Sequence, residues 1–173
     1  LGDVYKRQPF SFVSMTGYAA EPLGIWNQKF QTTHQGEQNM LGEKVGSLQA
    51  TAAVKPLSAK NSRPVFEVTG QGAGTLGNGE VNFMATYTAE VQADGSLLGE
   101  CPNAGVVMAQ DGIGTFRATG AGAFTEDGGS TFRGVVYFQS DAPSLAGLNG
   151  KAVVYDWDVD ANNNATWELW EWN

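Results

Sequence analysis

The chain has 173 residues, a hydrophobic fraction of 42%, 23 glycines and a formal net charge of −8 at pH 7. This length is enough for one domain with a buried core, and the glycine content is typical of a turn-rich all-β protein. The acidic residues are concentrated after Pro64 and repel phosphate backbones and anionic lipids, so we expect neither nucleic acid nor a membrane as a partner.

The sequence predicts three parts. Residues 1–8 resemble translated sequencing-adapter sequence of metagenomic fragments and are expected to be foreign to the protein. Residues 9–41 are predicted to be a poorly defined N-terminal segment, and residues 42–173 the folded domain. Cys101 is the only cysteine, which fits a reducing compartment. We therefore expect a cytoplasmic protein, with secretion left open because the natural start could lie upstream.

A first strand is predicted from about Gly42 to Val54, followed by a loop over Lys55–Pro64. Turn formers such as Asp-Gly and Asn-Gly then recur every 8–13 residues or so, which is typical of all-β domains. The strands predicted between them are 64–73, 79–92, 96–100, 104–110, 113–124, 130–139, 150–160 and 165–172. Residues 143–149 interrupt this rhythm as a short helical turn. We predict one antiparallel β-barrel of about eight strands.

A repeat at an offset of fifty residues supports this fold. Phe66–Ala73 matches Phe116–Ala123 without a gap, and the match continues through Tyr87 and Tyr137. Each copy has the pattern strand, turn, strand, so the chain carries one hairpin twice, too few copies for a solenoid or propeller. The repeat predicts that Tyr87 and Tyr137 occupy equivalent places.

The two long strands of this region differ in character. Residues 80–91 alternate between apolar and polar side chains, which predicts one buried and one solvated face. Residues 113–124 carry few large side chains, with glycine or alanine at six of the twelve positions. This strand either bends sharply at a barrel corner or leaves a cavity wall open for a ligand.

Several motifs point to chemistry that the surrounding residues do not support. Gly72–Gly77 spells a dinucleotide-binding GxGxxG, but a strand follows where a helix is needed. Asp156, Asp158 and Asp160 begin like a calcium loop, but Ala161 and Trp167 stand where an EF-hand has its glycine and its glutamate, and Glu168 comes one residue too late. These aspartates form either a solvated strand face or an adventitious cation site, and we expect no metal and no cofactor.

No catalytic residue can be assigned, and whether the protein is an enzyme stays open. His34 is the only histidine, and nothing places Cys101 or a serine beside it. Tryptophans crowd the final hairpin, where they either close one end of the barrel or stack on a ligand. They are Trp157, Trp167, Trp170 and Trp172.

Five polar residues stand in otherwise apolar or glycine-rich strands and are the candidates for lining an internal cavity. They are Tyr87, Tyr137, Glu67, Arg117 and Glu100. A buried carboxylate or tyrosine among them could act as a general acid or base. The alternative is that both tyrosines are core rings with satisfied hydroxyls.

The C-terminal stretch from Phe132 carries Leu148-Asn149-Gly150, then an acidic strand, then Trp170-Glu171-Trp172. It resembles a group of small uncharacterised bacterial proteins with the same ending, and the likeness extends over residues 42–173. More distantly, Gly112–Gly120 is similar to the glycine-rich strand of allene oxide cyclase-like barrels. The resemblance implies an allene oxide cyclase-like or lipocalin-like barrel and carries over no catalytic residue.

Three functions are compatible with these observations. The first is a barrel that binds a small hydrophobic or aromatic molecule, because a barrel of eight strands has room for one small ligand or for side chains alone. The second is an isomerase or cyclase on a hydrophobic substrate. The third is a subunit-association domain that forms a homodimer without catalysis.

Overall fold

The computed structural model describes residues 41–173, which form eight strands and one short 3-10 helix. The strands are β1 (Leu41–Lys60), β2 (Arg63–Leu76), β3 (Gly79–Val91), β4 (Leu97–Ala109), β5 (Gly112–Phe124), β6 (Ser130–Ser140), β7 (Val153–Val159) and β8 (Asn164–Trp172). The predictions for residues 1–8, for 9–40 and for His34 lie outside the described residues. None of the helices in residues 41–173 is long and apolar enough to cross a membrane.

The strands pair in chain order, each antiparallel to the next, and β8 pairs back onto β1 to close the ring. The predicted all-β barrel of eight strands is therefore confirmed. Alternation sets the inside and the outside of the barrel, since successive side chains of a strand point to opposite faces. In β3, for example, Val81 and Phe83 are buried whereas Asn82 and Met84 are exposed.

Two predicted breaks are wrong. The predicted loop at Lys55–Pro64 is instead the distal half of β1 and the start of β2, joined by a turn at Asn61 and Ser62, whose φ angles are 50° and 62°. Beyond Thr51, β1 pairs only with β2, so Pro56 lies on a strand edge, where a missing N–H is tolerated.

The predicted turn at Pro102–Asn103 is a bulge inside one strand. On the two sides of it, Cys101 pairs with Ala118 and Gly105 with Phe116, so three residues of β4 face one residue of β5. Asn103 takes up a positive φ of 55° there. The two short strands predicted on either side therefore join into β4.

One end of the barrel is covered by the segment between β6 and β7. Ala142, Leu145 and Leu148 are buried in the core, and Ala146–Leu148 forms the 3-10 helix, which confirms the predicted helical turn. The Asp111 carboxylate accepts hydrogen bonds from the Ser144 amide at 2.8 Å and its hydroxyl at 2.7 Å. These bonds fix the segment to the β4–β5 turn.

The two copies of the repeated hairpin differ in the register with which their strands pair. Phe66 pairs with Ala89, whereas Phe116 pairs with Phe138, and a strict fifty-residue repeat would put Gln139 in that place. A shift of one residue moves every side chain of a strand to the other face. Tyr87 consequently points inward and Tyr137 outward, so their predicted equivalence is wrong. The cause is the connection, which has two residues between β2 and β3 but five between β5 and β6.

Three neighbouring strands carry glycine at the same level of the barrel, and we call Gly99, Gly120 and Gly134 the glycine row. Gly120 pairs with Gly99 on one side and Gly134 on the other, and Gly134 pairs with Tyr155 of β7. The Tyr155 side chain extends across this row. A methyl group on Gly120 would lie 2.5 Å from the Tyr155 hydroxyl oxygen, and one on Gly134 would lie 2.8 Å from it. The small residues of β5 thus leave space that the Tyr155 side chain of β7 occupies.

We predict that Gly120→Ala lowers the free energy of unfolding by roughly 1–3 kcal/mol, the usual cost of overpacking a close-packed interior. Chemical denaturation measures this. Gly147→Ala is the control, because a methyl group there meets nothing within 4 Å. Adding Tyr155→Phe to Gly120→Ala removes the oxygen that the methyl group meets and should recover part of the loss. Additive effects of the two substitutions would contradict this contact.

Candidate functional site

The barrel interior contains a cavity of about 50 Å³. Its wall is mostly aromatic, with the rings of Phe83, Tyr87, Phe116, Phe132, Tyr155, Trp157 and Trp167. Small residues of β2, β3, β4 and β5 complete it, and these are Gly70, Ala85, Gly99 and Ala118. The cavity exists because wide rings from some strands face glycine or alanine on others.

Trp167 lies at the centre of the ring contacts. Its ring centroid is 5.1 Å from those of Phe83 and Phe116, and the Trp157 ring is perpendicular to it at 6.4 Å. The end of the Trp157 ring reaches across to β2, where a methyl group on Gly70 would lie 3.2 Å from it. Edge-to-face pairs of this kind add stability beyond the area they bury. The rings therefore form a rigid wall.

Tyr87 and Trp157 form a hydrogen bond across the interior. The Trp157 Nε1–H donates to the Tyr87 hydroxyl oxygen at 3.0 Å. Burial raises the pKa of Tyr87 to about 12, and the hydrogen bond from Trp157 offsets only part of that rise. Tyr87 is thus a neutral phenol at physiological pH, and it keeps its own proton for donation.

Tyr155 is 9% exposed, and its hydroxyl makes no hydrogen bond to any residue in the described range 41–173. Burial raises the pKa of Tyr155 well above its ordinary value, and the neighbouring Tyr87 and Cys101 raise it further by charge repulsion. The hydroxyl is neutral, lies over the glycine row and belongs to the cavity wall. It can donate a hydrogen bond to a molecule inside the barrel.

The β4 bulge lies beside the cavity. Cys101 is buried in the wall, and burial raises the pKa of its thiol, while the Ala104 amide has a smaller opposite effect. The thiol is therefore protonated and weakly nucleophilic. Glu100 also belongs to the wall, yet it is exposed, so the cavity borders solvent at this point.

Three of the five candidate residues lie on the outer face of the barrel. Glu67 forms an ion pair with Lys55 at 3.7 Å, and the Arg117 guanidinium lies 5.1 Å from the centre of the Tyr137 ring. The expectation that these three line the cavity is wrong, because each stands at an outward position of its strand. Tyr87 points inward and belongs to the wall, and Glu100 borders the cavity from an exposed position of β4.

Sequence reasoning missed Tyr155, and it named Trp157 and Trp167 only among four tryptophans that either close the barrel or stack on a ligand. The signal was the alternation in β7, which sets Tyr155 and Trp157 on the face opposite the aspartates. Of the four tryptophans, Trp157 and Trp167 are buried in the cavity wall, whereas Trp170 and Trp172 lie on outward positions of β8. The barrel end next to Trp172 is covered by residues 142–148 instead.

The acidic face of β7 already has partners within the chain. The Arg133 guanidinium binds Asp156 at 2.9 Å and Asp158 at 2.7 Å, and Asp160 accepts hydrogen bonds from the amides of Asn162 and Asn164. Within residues 41–173, no group of three or more His, Cys, Asp or Glu side chains could hold a metal ion. The aspartates stabilise β6, β7 and the turn that follows.

Neither a protein-family model nor a curated protein matches this chain. Several solved structures are similar to it. A conserved protein of unknown function from Rhodopseudomonas palustris is similar, with a TM-score of 0.63 and 10% identity over 75% of this chain and 95% of that one. A protein of unknown function from Clostridium acetobutylicum has a TM-score of 0.57 and 13% identity, over 75% and 96% of the chains.

A β-barrel-like protein from Acinetobacter baumannii is similar too, with a TM-score of 0.59 and 11% identity over 75% of this chain and 93% of that one. At such low identity these likenesses show the fold alone. The chain shares a β-barrel-like architecture with proteins whose function is not known.

The raised pKa values of Tyr87 and Tyr155 predict that these phenols stay protonated in the folded protein up to about pH 12. A group whose pKa is raised by folding stabilises the fold below its unfolded pKa, here 10.0, and loses that contribution as the pH rises further. The free energy of unfolding should therefore fall above pH 10.

An ultraviolet titration of phenolate, followed together with circular dichroism, measures this. Tyr87→Phe and Tyr155→Phe should each remove one late-titrating phenol. Complete ionisation of all tyrosines below about pH 11 in a protein that is still folded would contradict the burial of these hydroxyls.

Proposed function

We propose that this protein is a binding module that holds a small, uncharged and largely apolar organic molecule inside the barrel. The observation that carries the proposal is the cavity of aromatic rings whose wall includes the Tyr155 hydroxyl, which has no hydrogen-bond partner among residues 41–173. Ligand sites are typically apolar and aromatic, with a few polar groups that orient the ligand.

The size of the cavity limits the ligand. A water molecule needs roughly 10–15 Å³ measured in this way, and an apolar cavity that accepts benzene is about 150 Å³. A cavity of about 50 Å³ suits a molecule of about three or four heavy atoms. Of the two ligand classes expected from the sequence, the volume supports a small hydrophobic molecule rather than a whole aromatic one.

The charges around the cavity favour an uncharged ligand. Among residues 41–173, no lysine or arginine belongs to its wall, and the only acidic residue of the wall, Glu100, stands at an exposed position between buried Gly99 and Cys101. A buried ion without a partner carries a large desolvation cost. For an anion, this cost would exceed the free energy gained from contacts with the aromatic rings. The net negative charge of the chain acts against an anion as well.

Binding is better supported than catalysis. An isomerase or cyclase that moves a proton needs a group that gives it up near neutral pH. The pKa values of Tyr87, Tyr155 and Cys101 are all raised. Glu67 and Tyr137 lie on the outer face, and Glu100 stands at an exposed position of β4. The likeness to allene oxide cyclase-like barrels and the homodimer both stay predictions.

Filling the cavity should abolish binding. Ala118 belongs to the wall, and Ala121 stands at an exposed position of the same strand, so Ala118→Leu and Ala121→Leu add the same volume to opposite faces of β5. We expect the parent protein and Ala121→Leu to bind members of a set of uncharged molecules of about three or four heavy atoms, and Ala118→Leu to bind none.

Ligand-observed nuclear magnetic resonance measures this, and native mass spectrometry of protein purified from a bacterial lysate shows any molecule that co-purifies. Circular dichroism confirms that both variants are folded. Equal binding by Ala118→Leu, or no binding by the parent protein, would sink the proposal.

A further inference from the structure

We propose that the ligand of the cavity carries a neutral hydrogen-bond acceptor of the carbonyl type, and that the hydroxyls of Tyr155 and Tyr87 donate to it. This inference rests on the proposed function and names the chemistry of the ligand. Two donors in one aromatic cavity would orient a carbonyl group. A purely apolar cavity could not distinguish a carbonyl compound from a hydrocarbon of the same shape.

The first observation is the Tyr155 hydroxyl. The Tyr155 residue is 9% exposed, and no residue in the range 41–173 forms a hydrogen bond with its hydroxyl. The hydroxyl oxygen is not among the fully buried side-chain atoms that lack a partner, as expected for a group that faces the cavity. The ring cannot easily swing away, because it lies over Gly120 and Gly134 and contacts Trp167 at a centroid distance of 6.3 Å. The donor is therefore held in place at the cavity wall, available to a molecule inside the barrel.

The second observation is the direction of the hydrogen bond at Tyr87. Its oxygen already accepts from Trp157 Nε1–H, so what remains is the O–H as a donor. A hydroxyl that accepts one hydrogen bond becomes a better donor in the next, because bonds in a chain polarise one another. Tyr87 and Tyr155 belong to the same cavity wall but do not bond each other.

The third observation is what surrounds these donors. The wall has no cationic side chain that would match a carboxylate or phosphate, and the rest of it is aromatic or small. Two neutral donors in an apolar cavity complement a neutral acceptor, since leaving them unpaired costs free energy and pairing them with an anion requires its full desolvation. A small ketone, aldehyde or amide fits this description.

Acetone and isobutene test the inference, because the two molecules have nearly the same shape and only acetone has an acceptor oxygen. Their dissociation constants are measured from the indole N–H resonance of Trp157, whose partner Tyr87 is in the cavity wall. Tyr155→Phe should weaken acetone binding by about 3–10-fold, the worth of one hydrogen bond, and leave isobutene binding unchanged. Tyr137→Phe, which removes a hydroxyl from the outer face, should change neither.

Tyr155→Phe is preferred over Tyr87→Phe because it removes no hydrogen bond within the described chain, whereas Tyr87→Phe leaves Trp157 without an acceptor. The denaturation midpoint of Tyr155→Phe should be equal to or higher than that of the parent protein. A clear fall in the midpoint would show that the hydroxyl serves the fold, and would overturn the inference.

The remaining outcomes separate the two proposals. If both probes bind and Tyr155→Phe leaves the acetone constant unchanged, the acceptor inference is wrong and the binding function stands. If neither probe shifts the Trp157 resonance, the cavity holds water only and both proposals fall.

Discussion

The contact between inward-facing rings and inward-facing glycines is the constraint on which the rest of this structure depends. The inner width of an eight-stranded barrel is fixed by strand number and tilt, so a large side chain on one strand needs a small one on its neighbours. Tyr155 meets this condition over Gly120 and Gly134, and Phe132 meets it beside Gly99. The glycines lower the stability of their strands locally. The aromatic rings compensate for this loss of stability by filling the space above the glycines.

The same constraint explains why a cavity remains. Perpendicular rings such as Trp157 and Trp167 hold each other apart, and the small residues opposite them do not fill the gap. Because the wall is apolar, every polar group in it matters. The Tyr87 oxygen is satisfied by Trp157, and the Tyr155 hydroxyl is not satisfied by residues 41–173.

The sequence predicted the barrel because alternation and turn chemistry are local properties, as in residues 80–91. It failed where pairing overrides local signals. Lys55–Lys60 has the composition of a loop but is held in a strand by β2, and Pro102–Asn103 has the composition of a turn but forms a bulge. The site was predicted less well. Tyr87 was found from its strand face, but the meeting of Tyr155 and Trp157 with β2, β5 and β6 depends on contacts across the barrel.

The shifted register of the two hairpins has a consequence for how this fold can be rearranged. Hairpins that arise by duplication are often treated as interchangeable modules. Here β2–β3 and β5–β6 pair one residue out of step, so a chimaera in which β6 replaced β3 residue for residue would turn its surface to the inside. The two copies agree in their first strands, β2 and β5, where equivalent residues face the same side. Their second strands, β3 and β6, differ in which of the equivalent residues face inward.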